Sequence, residues 1–162
     1  TRALTRLLRL HVALAGGRLR EVVELRVALE RSSATLAAAS VTPEALETMR
    51  TLLAEMRGEA VGVETFNRLD TDFHVAIARA ADNTLVTDLT IAVRESLRAP
   101  ILVAEQGLSS GEYADFRGML CEQHEGIFAA LEAGDGEDAA QRIETHIRAA
   151  YSALPAMKTA SE

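Results

Sequence analysis

The chain has 162 residues, 48% of them hydrophobic and 4% aromatic, with a formal net charge of −7 and a pI of about 5.2. This length suits one domain with a sizeable core, and the single cysteine excludes an internal disulfide framework. The acidic balance argues against a DNA-gripping or membrane-binding surface, and no uncharged run reaches the ~18–20 residues of a membrane span, so we predict a cytoplasmic protein.

The spacing of apolar residues predicts helices along the whole chain, with no alternation typical of strands. A basic amphipathic helix is expected over Arg2–Leu14, and a second over 18–39. Thr42 and Pro43 begin the third, as N-cap and first helical residue. Later helices are expected over 64–81, 84–106, 112–133 and 137–154, with Pro100 kinking the second of these. The sequence thus predicts an all-α, antiparallel bundle of about six or seven helices.

Polar residues fall on the apolar faces of three of these helices. Asp70 and His74 lie four residues apart on one stripe, and His124 and His146 each lie within the stripe of a later helix. Unpaired polar groups are costly to bury, and one divalent ion would satisfy all four. Imidazole and carboxylate suit zinc, nickel, manganese or iron. Histidines that are hydrogen-bonded in the core are the alternative.

A core-facing arginine is the second unusual feature. Arg26 lies on the apolar stripe of the second helix, where its guanidinium needs an anion. That anion is either an internal partner such as Glu30 or a ligand carboxylate held in bidentate fashion. Arg94 and Arg98, four residues apart, are weaker ligand candidates because a solvated charged face accounts for them better; His11 is expected to face solvent.

These residues together resemble the FCD domain, the C-terminal effector-binding domain of FadR-type regulators in the GntR superfamily. The similarity runs over about residues 4–154. Three segments carry it: 24–30 with 36–38; Phe66-x3-Asp70-x2-Phe73-His74-x2-Ile77, continuing to Asn83; and Glu122-Gln123-His124-x2-Ile127 with 131–139 and His146.

The resemblance implies a dimeric, all-helical ligand sensor that holds a divalent ion, zinc in the first place, with nickel or manganese as alternatives. Carried over by position, the metal ligands are Asp70, His74, His124 and His146, and the ligand-binding residues are Arg26 and Asn83, to which we add Arg98. Asn83 is expected to cap a helix or line the pocket. A small carboxylate is the expected effector, bound to the ion at one end and to Arg26 at the other.

The same resemblance predicts a winged helix-turn-helix domain upstream, through which the protein binds DNA. Residues 1–17 would then be an interdomain linker helix, residues 18–155 the domain for ligand binding and dimerisation, and residues 156–162 a frayed tail. No membrane partner is expected.

Three other functions stay open. A structural ion could staple the bundle without any effector, with Arg26 paired internally. A metal-dependent enzyme could use the same histidines and carboxylate, although no further core-facing base can be identified, so we expect no enzyme. The third is a metal-free pocket for an acyl-type effector, because members of the similar family that lack the full ligand set bind such effectors in the same bundle.

Overall fold

A computed structural model describes residues 2–14 and 19–158, and every regular element within these ranges is a helix. This confirms the all-α fold. Seven helices correspond to the predicted ones. The eighth is a single turn that extends into the tail expected to be frayed, of which residues 159–162 lie outside the described ranges. The helices are α1 (Arg2–Leu14), α2 (Leu19–Ser40), α3 (Pro43–Met56), α4 (Val63–Ala80), α5 (Thr84–Gln106), α6 (Ser110–Glu132), α7 (Gly136–Ala153) and α8 (Pro155–Lys158).

Capping residues fix several helix ends. The side chain of Thr42 accepts a hydrogen bond from the Ala45 amide, with Pro43 next to it, as predicted. Helix α6 begins before its predicted start at residue 112, because Ser109 and Glu112 form a capping box. Helix α5 continues without a break through Pro100 to Gln106.

The helices pack so that α4 and α7 lie at the centre of the bundle. Helix α7 packs against α2 and α6, and α4 packs against α2, α3 and α5. Short turns join α4 to α5 and α6 to α7, so these packed pairs run antiparallel. The core contains fully buried residues from α4, α6 and α7, including Phe66, Phe73, Ile127, Ile143 and Ile147.

Helix α1 packs on the outside of α5. Leu8 packs against a small apolar cluster formed by Val22, Val93 and Leu97, whereas Leu7 and the predicted solvent-facing His11 are exposed. No helix in the described ranges has the length and hydropathy of a membrane span.

Candidate metal centre

The four predicted metal ligands meet in the middle of the bundle. Asp70 and His74 come from successive turns of α4, His124 from α6 and His146 from α7. One ligand atom from each lies within 4.8 Å of the other three. All four side chains are buried, and His124 has no exposed surface at all.

The separations fit the coordination of one ion. Asp70 Oδ1 lies 3.1 Å from His124 Nε2, 3.7 Å from His74 Nε2 and 3.9 Å from His146 Nε2. The Nε2 atoms of His74 and His146 are 3.2 Å apart. Atoms bonded to one ion at about 2.1 Å stand roughly 3.0–3.4 Å apart at adjacent positions. His124 Nε2 has no well-formed hydrogen bond although it is buried, and such a lone pair suits a metal ion.

The electrostatics of the site also suit a cation. Burial lowers the pKa of His124, against the opposing effect of Asp70, and burial together with the neighbouring histidines lowers the pKa of His146 well below its usual range. Burial opposes ionisation of Asp70, but the adjacent His124 imidazole and the nearby positive groups leave its pKa below the usual value. Neutral imidazoles and an ionised carboxylate are the forms that bind metals.

Two of the histidines have a polar side chain beside Nδ1, the ring nitrogen that does not face the other candidate ligands. Glu30 Oε2 on α2 lies 2.6 Å from His74 Nδ1, and Gln123 Oε1 lies 2.9 Å from His146 Nδ1. The Gln123 acceptor at His146 Nδ1 favours the tautomer that leaves the Nε2 lone pair of His146 free, which is the usual arrangement around a bound metal.

Arg26 is buried and pairs with Glu30, whose Oε1 lies 2.6 Å from the arginine Nε. Burial by itself would lower the pKa of Arg26, but the negative charge of Glu30 raises it overall, so the guanidinium stays charged. Its Nη1 lies 3.4 Å from the Tyr151 hydroxyl. The internal salt bridge considered from the sequence is therefore present, and Arg26 still lines the cavity described below.

Arg94 contradicts its predicted place on a solvated face. It is buried, and its Nη2 lies 2.6 Å from Asp70 Oδ2. The sequence signal was available, because Thr90, Arg94, Leu97 and Ile101 share one stripe of α5 at helical spacing. Arg94 on α5 thus shows the same pattern as Arg26 on α2, an arginine within the apolar stripe of its helix.

A cavity of about 20 Å³ opens beside the metal ligands. Its polar lining comes from Arg26, Asp70, Glu105, His146 and Tyr151, and its other walls are apolar. A cavity of this size holds about one water molecule, so an organic acid enters only if the walls move. Glu105 was not predicted as a cavity residue from the sequence, although it follows Ile101 by four residues on the same stripe of α5.

Two predicted ligand-binding residues lie away from this cavity. Asn83 is exposed and is the N-cap of α5, with its Oδ1 accepting a hydrogen bond from the Val86 amide. This is the capping role that was expected as one of two possibilities. Arg98 is half-buried and does not line the cavity. Arg94, rather than Arg98, is the arginine of α5 that reaches the site.

The family model of the FCD domain matches residues 21–149. The chain therefore belongs to the FCD domain family. Two curated relatives are the HTH-type transcriptional regulator LutR of Bacillus subtilis, 31% identical over 79% of this chain and 58% of LutR, and the HTH-type transcriptional repressor NanR of Cronobacter sakazakii, 24% identical over 83% of this chain and 50% of NanR. The chain thus spans only about half the length of these relatives.

Solved structures agree on the fold. Escherichia coli McbR/YncC matches with a TM-score of 0.72 at 19% identity, over 84% of this chain and 67% of that one. Streptococcus agalactiae GntR matches with a TM-score of 0.65 at 21% identity, over 80% of this chain and 56% of that one.

Proposed function

We propose that this chain is the effector-sensing domain of a GntR-family transcriptional regulator and that it binds one divalent metal ion together with a small carboxylate. The observation that carries the proposal is the convergence of Asp70 and three histidines from three helices at one buried point. Both curated relatives are helix-turn-helix regulators. We assign DNA binding to an upstream domain, with residues 1–17 as its linker, and we propose that the protein acts as a homodimer in the cytoplasm.

In this proposal Asp70, His74, His124 and His146 hold the ion, zinc first, with nickel or manganese as alternatives. When bound, the ion supplies positive charge and coordination positions open to a ligand. The charges of Arg26 and Arg94 are balanced by those of Glu30 and Asp70, which lie against them. A divalent ion therefore leaves an excess of positive charge, which favours an anionic ligand.

The carboxylate is proposed to occupy the cavity beside the ligands. Arg26 and Tyr151 line it and can hydrogen-bond an acid whose other end lies near the metal ligands. The pairing of Arg26 with Glu30 supports a second candidate, a structural ion without any effector. The two differ in one property, since only the first binds a carboxylate once the metal is present.

The metal is tested by elemental analysis of untagged protein purified without chelator. We expect about one equivalent of a transition metal per chain, lost in His124→Ala because one of its ligands is removed. His11→Ala is the matched control, since this histidine is exposed on α1, and it should retain the metal. Wild-type protein without metal, and unchanged in thermal stability on adding Zn²⁺, Ni²⁺ or Mn²⁺, would exclude the metal site.

A further inference from the structure

The polar lining of the cavity is unevenly distributed over the helices. Helices α2, α4 and α7 contribute Asp70 and His146 of the candidate metal centre, together with Arg26 and Tyr151. Helices α5 and α6 contribute Ile101, Phe116 and Leu120, and one polar side chain, Glu105. Glu105 does not belong to the four-residue cluster that could hold an ion. It is thus a hydrogen-bonding group placed in an otherwise apolar wall.

The environment of Glu105 favours the neutral form of its carboxyl group. The residue is 3% exposed, and its hydrogen bond in the described part of the chain comes from Asn67 Nδ2, 3.0 Å from Oε2. Burial and the negative charge of Asp70 raise the pKa of Glu105 to about 8, against the smaller effect of Asn67. The neutral acid can both donate and accept a hydrogen bond, and the ionised form can still accept one.

Asn67, the hydrogen-bond partner of Glu105, also has unused hydrogen-bonding capacity. It is 2% exposed, and its Oδ1 has no hydrogen-bond partner among the described residues. A buried polar pair with unused donors and acceptors is costly unless another molecule completes it. Glu105 is the member of this pair that lines the cavity, so a bound ligand can hydrogen-bond its carboxyl group.

The chemistry of the cavity selects the kind of group that Glu105 meets. An ammonium group is disfavoured, because a bound divalent ion adds positive charge to a site in which Glu30 already balances the charge of Arg26. A second carboxylate gains less from a neutral acid than from an arginine. A hydroxyl group both donates and accepts, and it matches a neutral carboxyl without adding charge.

We propose that Glu105 is a specificity-determining residue of the ligand cavity, which hydrogen-bonds a hydroxyl group of the bound acid and so favours hydroxy acids over the matched acids that lack the hydroxyl. This inference rests on the proposed function, since it needs a carboxylate in the cavity. It assigns a role to a residue that the metal centre does not use.

The test measures binding by calorimetry at pH 7 with metal-loaded protein. The probes are 2-hydroxypropanoate against propanoate, 3-hydroxybutanoate against butanoate, and 2-hydroxybutanedioate against butanedioate, with 2-aminopropanoate as the ammonium-bearing analogue. The variants are Glu105→Met, which removes both hydrogen-bonding atoms, and Glu105→Gln, which keeps a neutral donor and acceptor. Glu55→Leu on the exposed side of α3 is the control.

We expect wild type to prefer the hydroxy acid by about three- to tenfold in at least one pair, as one hydrogen bond allows. This preference should vanish in Glu105→Met and persist in Glu105→Gln and Glu55→Leu. Should Glu105→Met fail to fold by circular dichroism, Asn67→Ala replaces it, and the preference should again fall.

Other outcomes overturn the inference, and they separate it from the proposed function. Acids that bind wild type and Glu105→Met with the same preference, no preference in any pair, or tighter binding of 2-aminopropanoate would reject the role of Glu105 while leaving the sensor function intact. Metal-loaded wild type that binds none of the acids would reject the carboxylate sensor itself, and the inference with it.

Discussion

At the scale of single residues, the centre is a buried network in which two arginines pair with two carboxylates. Arg26 contacts Glu30, Glu30 contacts His74, and Arg94 contacts Asp70. Each carboxylate and guanidinium is buried away from water, which costs free energy unless a group of opposite charge lies beside it. Removing one member leaves the opposite charge buried without compensation, which costs more than the pair contributes.

Arg94→Met tests this dependence. The variant keeps most of the side-chain volume but leaves the Asp70 carboxylate without the guanidinium 2.6 Å away. We expect the free energy of unfolding to fall by about 3 kcal/mol, as for other broken buried pairs. The measurement is urea denaturation of metal-free protein in the presence of a chelator.

Arg98→Met is the matched control, four residues further along α5 and half-buried outside the site. It should change the stability by less than about 1 kcal/mol. Equal losses in the two variants would mean that Arg94 matters for its packing alone and that its charge does not compensate Asp70.

At the scale of elements, α6 shows how local sequence fixes a helix that then carries His124. The Ser109–Glu112 capping box starts it. Gly134 ends it, with φ of +71° and its amide bonded to the Leu131 carbonyl, while the Asp135 amide bonds to that of Ala130. This pair of hydrogen bonds is the Schellman motif. Both ends of the helix are thus set by residues at fixed sequence distances from His124.

Two glycines of this region respond in opposite directions to alanine. Gly118 lies in the interior of α6, and a Cβ there meets nothing within 4 Å. Gly118→Ala should stabilise the protein by about 0.5–1 kcal/mol, because alanine loses less backbone entropy on folding.

Gly134→Ala should destabilise the protein by about 1 kcal/mol, since its positive φ disfavours a side chain. Thermal or urea denaturation of both variants measures the difference. A gain at Gly134, or a loss at Gly118, would contradict the helix boundaries described here.

At the scale of the whole molecule, one side chain connects the cavity to α1. Ile101 lines the cavity and also packs against the apolar cluster of Val22, Val93 and Leu97. Leu8 of α1 packs against the same cluster. The cavity holds about one water molecule, so a carboxylate must displace its walls. We expect a displacement of Ile101 to be transmitted through this cluster to α1, the helix that we assign to the linker.

This route predicts an effect on DNA binding in the full-length regulator. An acid that binds the metal-loaded protein should change operator affinity at least about fivefold, the lower end of usual allosteric coupling. Leu8→Ala should reduce the change while leaving binding of the acid intact. The readout is fluorescence anisotropy with labelled operator DNA, with and without the acid.

Leu7→Ala is the control, since Leu7 is 65% exposed on the same helix, and it should respond to the acid as wild type does. Operator affinity that does not change when the acid binds would reject regulation through this domain. Equal responses of Leu7→Ala and Leu8→Ala would reject the route through α1.

The sequence by itself determined the helices and the four candidate metal ligands. Apolar spacing of 3.6 residues defines which face of each helix is buried, so a histidine or aspartate on that face must point inward. Asp70, His74, His124 and His146 could therefore be named, and the tertiary structure brings them together. Arg26 was found by the same reasoning, although its two possible partners could not be separated.

The tertiary structure decided what depends on distances between helices. Arg94 became a partner of Asp70, Glu105 became part of the cavity wall, and Asn83 proved to be a helix cap away from it. Periodicity gives the direction of a side chain relative to its own helix, but not which neighbouring helix it meets or how much space lies between them. Those follow from the packing of the described helices against one another, which no single segment of the sequence contains.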